Sequence, residues 1–135
     1  MRKPFYLMSV VAVSICMTSN AQAGSLEGVW RIESGRWGSG DSEIVYPGDP
    51  ASDEGAAAFR TFTENHHFFI SSWPAENIYN ASMSRYSVEG NTIHMEKVVT
   101  KNPEHLQEWD LTFDLDGDRL TLEMEELKEV WVRVE

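Results

Sequence analysis

The chain has 135 residues, enough for one domain with a sizeable core, and it carries 11 Lys and Arg against 22 Asp and Glu, a formal net charge of −11. A surface that acidic repels phosphate backbones and anionic headgroups, which sets aside nucleic acid and lipid surfaces as partners. The one cysteine, Cys16, falls in an N-terminal leader, so the rest has no disulfide or thiolate metal site and must be held by its aromatic and aliphatic side chains.

The leader is residues 1–23. Arg2 and Lys3 precede an apolar run from Phe5 to Met17, and Ala21-Gln22-Ala23 closes it. This is the three-part pattern of a secretory signal peptide cut before Gly24. The run is short for a membrane span of about 20 residues, and Ile15 before Cys16 is the wrong neighbour for a lipidated cysteine. The expected product is residues 24–135, periplasmic or secreted, with no membrane insertion after cleavage. Losing the leader takes two positive charges and no negative one, so −11 becomes −13.

From Leu26 onward the apolar pattern has period two, the mark of half-buried strands. The first strand begins in LEGVWRI. Residues 35–55 contain GSGD and PGDP and read as a long polar loop with at most a short strand at Glu43 to Tyr46. Ala57 to Phe62 and His67 to Trp73 read as strands meeting at Thr63-Glu64-Asn65. Gly90 turns the next pair, placing Tyr86 and Ile93 on one face and His94 and Glu96 on the other. Trp109, Leu111, Phe113 and Leu115 alternate with Glu108, Asp110, Thr112 and Asp114, and Asp116-Gly117 is a strong hairpin signal leading to Leu120, Leu122 and Met124. Glu123 to Glu129 continues a hairpin, after which Glu129, Trp131 and Arg133 alternate with Val130, Val132 and Val134. Seven to nine short antiparallel strands without a covering helix predict an all-β, up-and-down closed barrel of about eight strands. A two-sheet sandwich satisfies the same alternation.

Gly28-x-Trp30 at the first strand and Trp131-x-Arg133 at the last resemble the lipocalin-type barrel of the calycin group. The resemblance implies that Gly28, Trp30 and Arg133 close one end of the barrel, the guanidinium lying across the indole. TFTENHHFFISSW, RYSVEGNTIHMEKV, NPEHLQEWDLTFDLDGDRLTLE and EVWVRVE resemble, in order, segments of the small bacterial lipocalin-like domains, over most of residues 26–135. The loop from Gly35 to Gly55 matches nothing in that pattern and is a candidate rim loop over the mouth.

Other chemistries find little support. Asp114, Asp116 and Asp118 mimic the start of a calcium loop, but Arg119 stands where that loop needs Gly, and a hairpin turn explains the same residues. His66 and His67 are adjacent on a strand and point to opposite faces; His94 lies on a polar face, and His105 stands in the NPEH segment. No metal and no cofactor is expected. Neither a Gly-x-Ser-x-Gly elbow nor a phosphate loop occurs, and the acidic residues sit on polar faces, so the reading leans away from an enzyme.

The remaining function is a lumen that binds a small apolar or amphipathic molecule. Phe68, Tyr86, Met95, Trp109 and Phe113 are the candidate ligand contacts, with Tyr86 or His66 as a polar handle. Three alternatives stay open: a solid core made by the same residues together with Ile70, Ile93 and Leu111; a barrel cyclase or isomerase with a buried carboxylate or His beside Tyr86; and a solid-core interaction protein using its acidic surface or the 35–55 loop. Oligomeric state is not legible.

Overall fold

The first strand of the chain meets the last. In the computed structural model, which describes residues 26–101 and 107–135, the strands are β1 (Gly28–Trp37), β2 (Ile44–Tyr46), β3 (Ala57–Phe62), β4 (His66–Trp73), β5 (Ile78–Glu89), β6 (Thr92–Thr100), β7 (Glu108–Asp116), β8 (Arg119–Met124) and β9 (Leu127–Arg133). From β3 to β9 each strand pairs antiparallel with the next, β3 pairs with β1, and β9 returns to β1 with Trp30 opposite Arg133 and Ile32 opposite Trp131. Eight strands therefore close on themselves, and the sandwich alternative falls away because no edge is left to divide two sheets. The leader and the NPEH segment with His105 lie outside the described residues.

β2 is the ninth strand. β3 pairs with β1 only from Gly28 to Arg31, and β2 pairs with Gly35 to Trp37 on the edge that β3 has left. The polar loop thus contributes a strand to the upper wall, close to the predicted Glu43 to Tyr46.

Side-chain direction follows from register. β1 carries a bulge between Ile32 and Ser34, opposite β9. Before it Trp30 and Ile32 point into the lumen; after it the phase shifts and Gly35 and Trp37 do. On β3 the inward side is Ala58, Arg60 and Phe62, and on β4 it is His67, Phe69, Ser71 and Trp73. The candidate lumen residues Phe68 and Ile70 are therefore on the outer wall, 42% and 58% exposed. His66 shares that outer phase, so it is no polar handle for the lumen.

The closed half is solid. Phe62, Tyr86, Ile93, Met95, Leu111, Phe113, Leu120 and Leu122 are buried together above Trp30. Removing a side chain as large as Phe62 from such a core costs about 3–5 kcal/mol. Trp30 donates its indole N–H to the Leu26 carbonyl at 2.8 Å, and the Arg133 guanidinium lies over the Trp30 ring, 4.2 Å from its centroid. Arg133 also reaches the Glu27 carbonyl and, at 3.1 Å, Asp118 Oδ1 in the β7–β8 turn.

Candidate functional site: the open half of the lumen

Above the packed half lies a polar layer. Arg60 of β3 donates from Nε and one terminal nitrogen to Glu129 Oε2 of β9, at 3.1 and 2.7 Å. Its other terminal nitrogen lies 3.0 Å from His67 Nε2. The guanidinium is also flanked by the rings of Phe69 and Trp131, each 4.9 Å away at the centroid. Arg60 and Glu129 are 8% and 3% exposed. Glu129 further accepts the indole N–H of Trp131 on Oε2 and that of Trp37 on Oε1, both at 2.9 Å. A buried carboxylate meeting a fork of guanidinium donors and two indoles has its acceptor positions committed, which is what makes its burial tolerable.

His67 is the neutral member of the layer. Burial, then the nearby Arg60 and Lys97 charges, push its pKa well below the ordinary histidine value. Since Arg60 can only donate, His67 Nε2 must accept, which leaves the proton on Nδ1. That Nδ1 and the hydroxyl of Ser84, the cross-strand partner of His67, have no hydrogen-bond partner among the described residues. Lys97 projects inward on β6 with its ammonium 5.2 Å from the centroid of the Trp109 ring, and burial, then Arg60, lowers its pKa.

Over this layer the lumen opens into a cavity of about 440 Å³, a size that suits a small organic ligand. Phe69, Trp131 and Glu129 form its floor. Ile32, Trp37, Tyr46, Ala58, Ser71, Trp73, Ile78 and Asn80 form the walls, and Glu43, Asp49, Asp53 and Glu76 stand among the residues at its mouth. The segment between β1 and β3 supplies much of this lining, including Ile44, Val45 and Ser52. It is the rim loop that the sequence suggested.

None of the five predicted contact residues lines this cavity. Tyr86, Met95 and Phe113 belong to the packed half. The Tyr86 hydroxyl donates to the Thr63 carbonyl, and burial, followed by Glu27 and Glu64, raises its pKa to about 12. Trp109 faces inward beneath Lys97 on the other side of the barrel, and Phe68 faces outward. Gly28, Trp30 and Arg133 do meet at the closed end. A Cβ on Gly28 would lie 2.5 Å from the Glu135 carbonyl oxygen and 2.7 Å from the Arg133 guanidinium, so glycine is what lets the last strand and its arginine pass over the first.

The residues that sequence reasoning missed are Trp37, Phe69, Trp73 and the Arg60–Glu129 pair. One signal for Trp37 was present. Gly35-x-Trp37 repeats the Gly28-x-Trp30 spacing seven residues later, and a Cβ on Gly35 would overlap the Trp37 indole. Glycine there allows the ring to fold back along its own strand into the lumen. Among the described residues no group of three His, Cys, Asp or Glu side chains converges as a metal site. His94 instead pairs with Asp110 on the outer surface at 2.7 Å, which raises its pKa.

A barrel of this strand arrangement is found in other solved structures. A lipocalin-like protein from Bacteroides uniformis superposes with a TM-score of 0.56, over 82% of this chain and 99% of that one, at 18% identity. The fold is lipocalin-like. A second structure, of an uncharacterized protein from Bacteroides eggerthii, gives a TM-score of 0.55 at 12% identity, over 80% and 98% of the two chains. No family model matches the sequence, and no curated protein matches it. At such identities the likeness is one of lipocalin-like architecture, and ligand and role rest on the residues of this chain.

Proposed function

We propose that this protein is exported and binds a small apolar or amphipathic molecule in the open half of its lipocalin-like barrel. One observation carries the reading: a cavity of about 440 Å³ whose walls include Trp37, Tyr46 and Trp73 above a floor of Phe69 and Trp131. Rings of that size offer large apolar area at low entropic cost. The Trp37–Glu129 hydrogen bond holds one of them in place before any ligand arrives.

Fluorescence titration with the neutral apolar probe N-phenyl-1-naphthylamine tests it. Saturable quenching of the tryptophans is expected, weakened at least tenfold by Trp73→Ala and unaffected by Phe68→Ser on the outer wall. Binding that responds equally to both substitutions, or no saturable binding by any apolar or amphipathic probe, would defeat the reading. N-terminal sequencing of the protein recovered from the periplasm or medium tests export, with Gly24 as the expected first residue.

A barrel cyclase or isomerase would need an acid or base free to exchange a proton with its substrate. The buried carboxylate at the floor is held by Arg60, Trp37 and Trp131, and Tyr86 lies in the packed half. Neither is such a group, and we take the lumen to hold a ligand.

A further inference from the structure

We infer that the ligand of the open cavity is an organic cation, an amphipathic molecule whose polar end is an ammonium or related group. The inference rests on the lumen-binding reading above and adds the charge of what is bound.

The first observation is the arrangement of the rings. Trp73 meets Trp37 edge to face, with centroids 6.4 Å apart and planes at 87°. It meets Tyr46 in the same way, at 6.0 Å and 83°. Rings at right angles within one cavity present π faces in more than one direction, the arrangement by which aromatic cages take alkylated ammonium groups. A purely apolar ligand gains nothing special from it.

The second observation is the sign of the charges that face the space. Among the described residues no Lys, Arg or His lines the cavity, whereas Glu43, Asp49, Asp53, Glu76 and Glu129 do. Two of these are offset locally, Glu129 by Arg60 below the floor and Glu43 by Arg36 at 3.6 Å. Asp49, Asp53 and Glu76 have no ion-pair partner among the described residues. Asp53 and Asp49 each accept a backbone N–H, from Gly48 and Ala51, which fixes their carboxylates on the rim loop without neutralising them. A cavity walled by protein focuses the field of such charges on whatever enters.

An anionic head group is the competing assignment, since the barrel interior also holds Arg60 and Lys97. Neither borders the cavity. Arg60 is closed off by Phe69 and Trp131 and engaged by Glu129 and His67. Lys97 lies against Trp109, outside the lining. A carboxylate in the cavity would face acidic groups and, among the described residues, find no cation in the lining. The observations favour the cation.

Calorimetric titration with octyltrimethylammonium, octanol and octanoate, which share one chain length, tests the charge alone. The ammonium should bind at least tenfold more tightly than octanol at low salt, a difference of about 1.4 kcal/mol, and octanoate should bind most weakly. The preference should shrink as salt is raised toward physiological strength and beyond. In the triple variant Asp49→Asn, Asp53→Asn, Glu76→Gln the amide oxygens at 49 and 53 can still accept the loop N–H groups. There the ammonium should lose its advantage while octanol binds as before. Equal affinity for all three compounds, or a preference for octanoate, would overturn the cation assignment and leave lumen binding standing. If none of the three binds, the lumen-binding reading fails and the inference with it.

Discussion

Arg133 and Trp30 are direct cross-strand partners on the two strands that close the barrel, and the guanidinium of one lies 4.2 Å above the ring centroid of the other. Closure and stopper are therefore one contact. The strand pairing sets the two residues side by side, and the stack covers the indole that seals the end. Gly28 is part of the same contact. It sits at φ +135, a region that residues with a Cβ rarely enter, with the chain end and Arg133 packed against it.

Gly28→Ala should accordingly lower stability by about 2–3 kcal/mol, combining backbone strain with the overlap against Glu135. Urea unfolding followed by tryptophan fluorescence measures it. An unchanged midpoint would mean that the C-terminal residue shifts freely and contributes nothing to the seal.

The Arg60–Glu129 pair divides the packed half from the open half. Removing one partner strands the other charge in a buried site, so Glu129→Gln or Arg60→Met alone should each cost about 3–5 kcal/mol. Arg60→Met with Glu129→Gln removes both charges, keeps much of the volume and leaves an amide oxygen to accept the Trp37 and Trp131 indole N–H groups, and it should recover most of that loss. The pair of single variants and the double variant form a cycle in urea unfolding. Additive losses would show that the two residues act independently.

His67 sets a pH limit. Its folded-state pKa lies well below the ordinary value of 6.5, so the unfolded chain takes up a proton that the folded chain refuses. The resulting stability is fully present above pH 6.5 and is lost as pH falls below it, with a slope approaching about 1.4 kcal/mol per pH unit for one group. His94 acts in the opposite direction: paired with Asp110, its pKa is raised, and its contribution is present below 6.5 and lost as pH rises. Unfolding between pH 7.5 and 5 should thus show an acid loss that His67→Gln flattens and His94→Gln steepens. A profile insensitive to His67→Gln would assign the acid loss to other groups.

Much of the barrel was legible because its strands alternate and its hairpins carry Asp116-Gly117 and Glu89-Gly90. The closed end was expected from the family resemblance that Gly28-x-Trp30 and Trp131-x-Arg133 carry, and not from spacing, since Trp30 and Arg133 stand on the first and last strands. The open half was not legible, for two physical reasons. On β4 the two sides are matched in type: His66, Phe68, Ile70 and Ser72 face outward, and His67, Phe69, Ser71 and Trp73 face inward. Hydrophobicity therefore does not select the phase. What makes a polar inner row tolerable is Arg60, whose counterion Glu129 is 69 residues away in sequence and identified only by the closed sheet. On β1, the bulge after Ile32 turns Trp37 inward, and one inserted residue leaves no trace in composition.

The β8–β9 turn is bonded to the segment just after that bulged strand, and one residue there adopts a costly conformation. Met124 pairs with Leu127, leaving Glu125 and Glu126 as the turn, and Glu126 has φ 58. A non-glycine residue in the left-handed region costs about 1 kcal/mol. Two bonds offset it: the Gly38 N–H donates to the Glu126 carbonyl at 2.8 Å, and the Ser39 hydroxyl donates to Glu126 Oε1 at 2.7 Å. The first depends only on the backbone and survives any substitution that keeps the turn. The second is exposed and contributes a few tenths of a kcal/mol, as surface hydrogen bonds do. Glu126→Gly should relieve the strain, lose only the weaker bond and raise stability by about 0.5 kcal/mol. Glu126→Ala keeps the strain, loses the same bond and should fall below the parent by a similar amount. Thermal unfolding of the three proteins should therefore rank Gly above Glu above Ala. If Gly instead falls below Glu, the Ser39 contact is what holds the end of β1, and with it Trp37, against the turn.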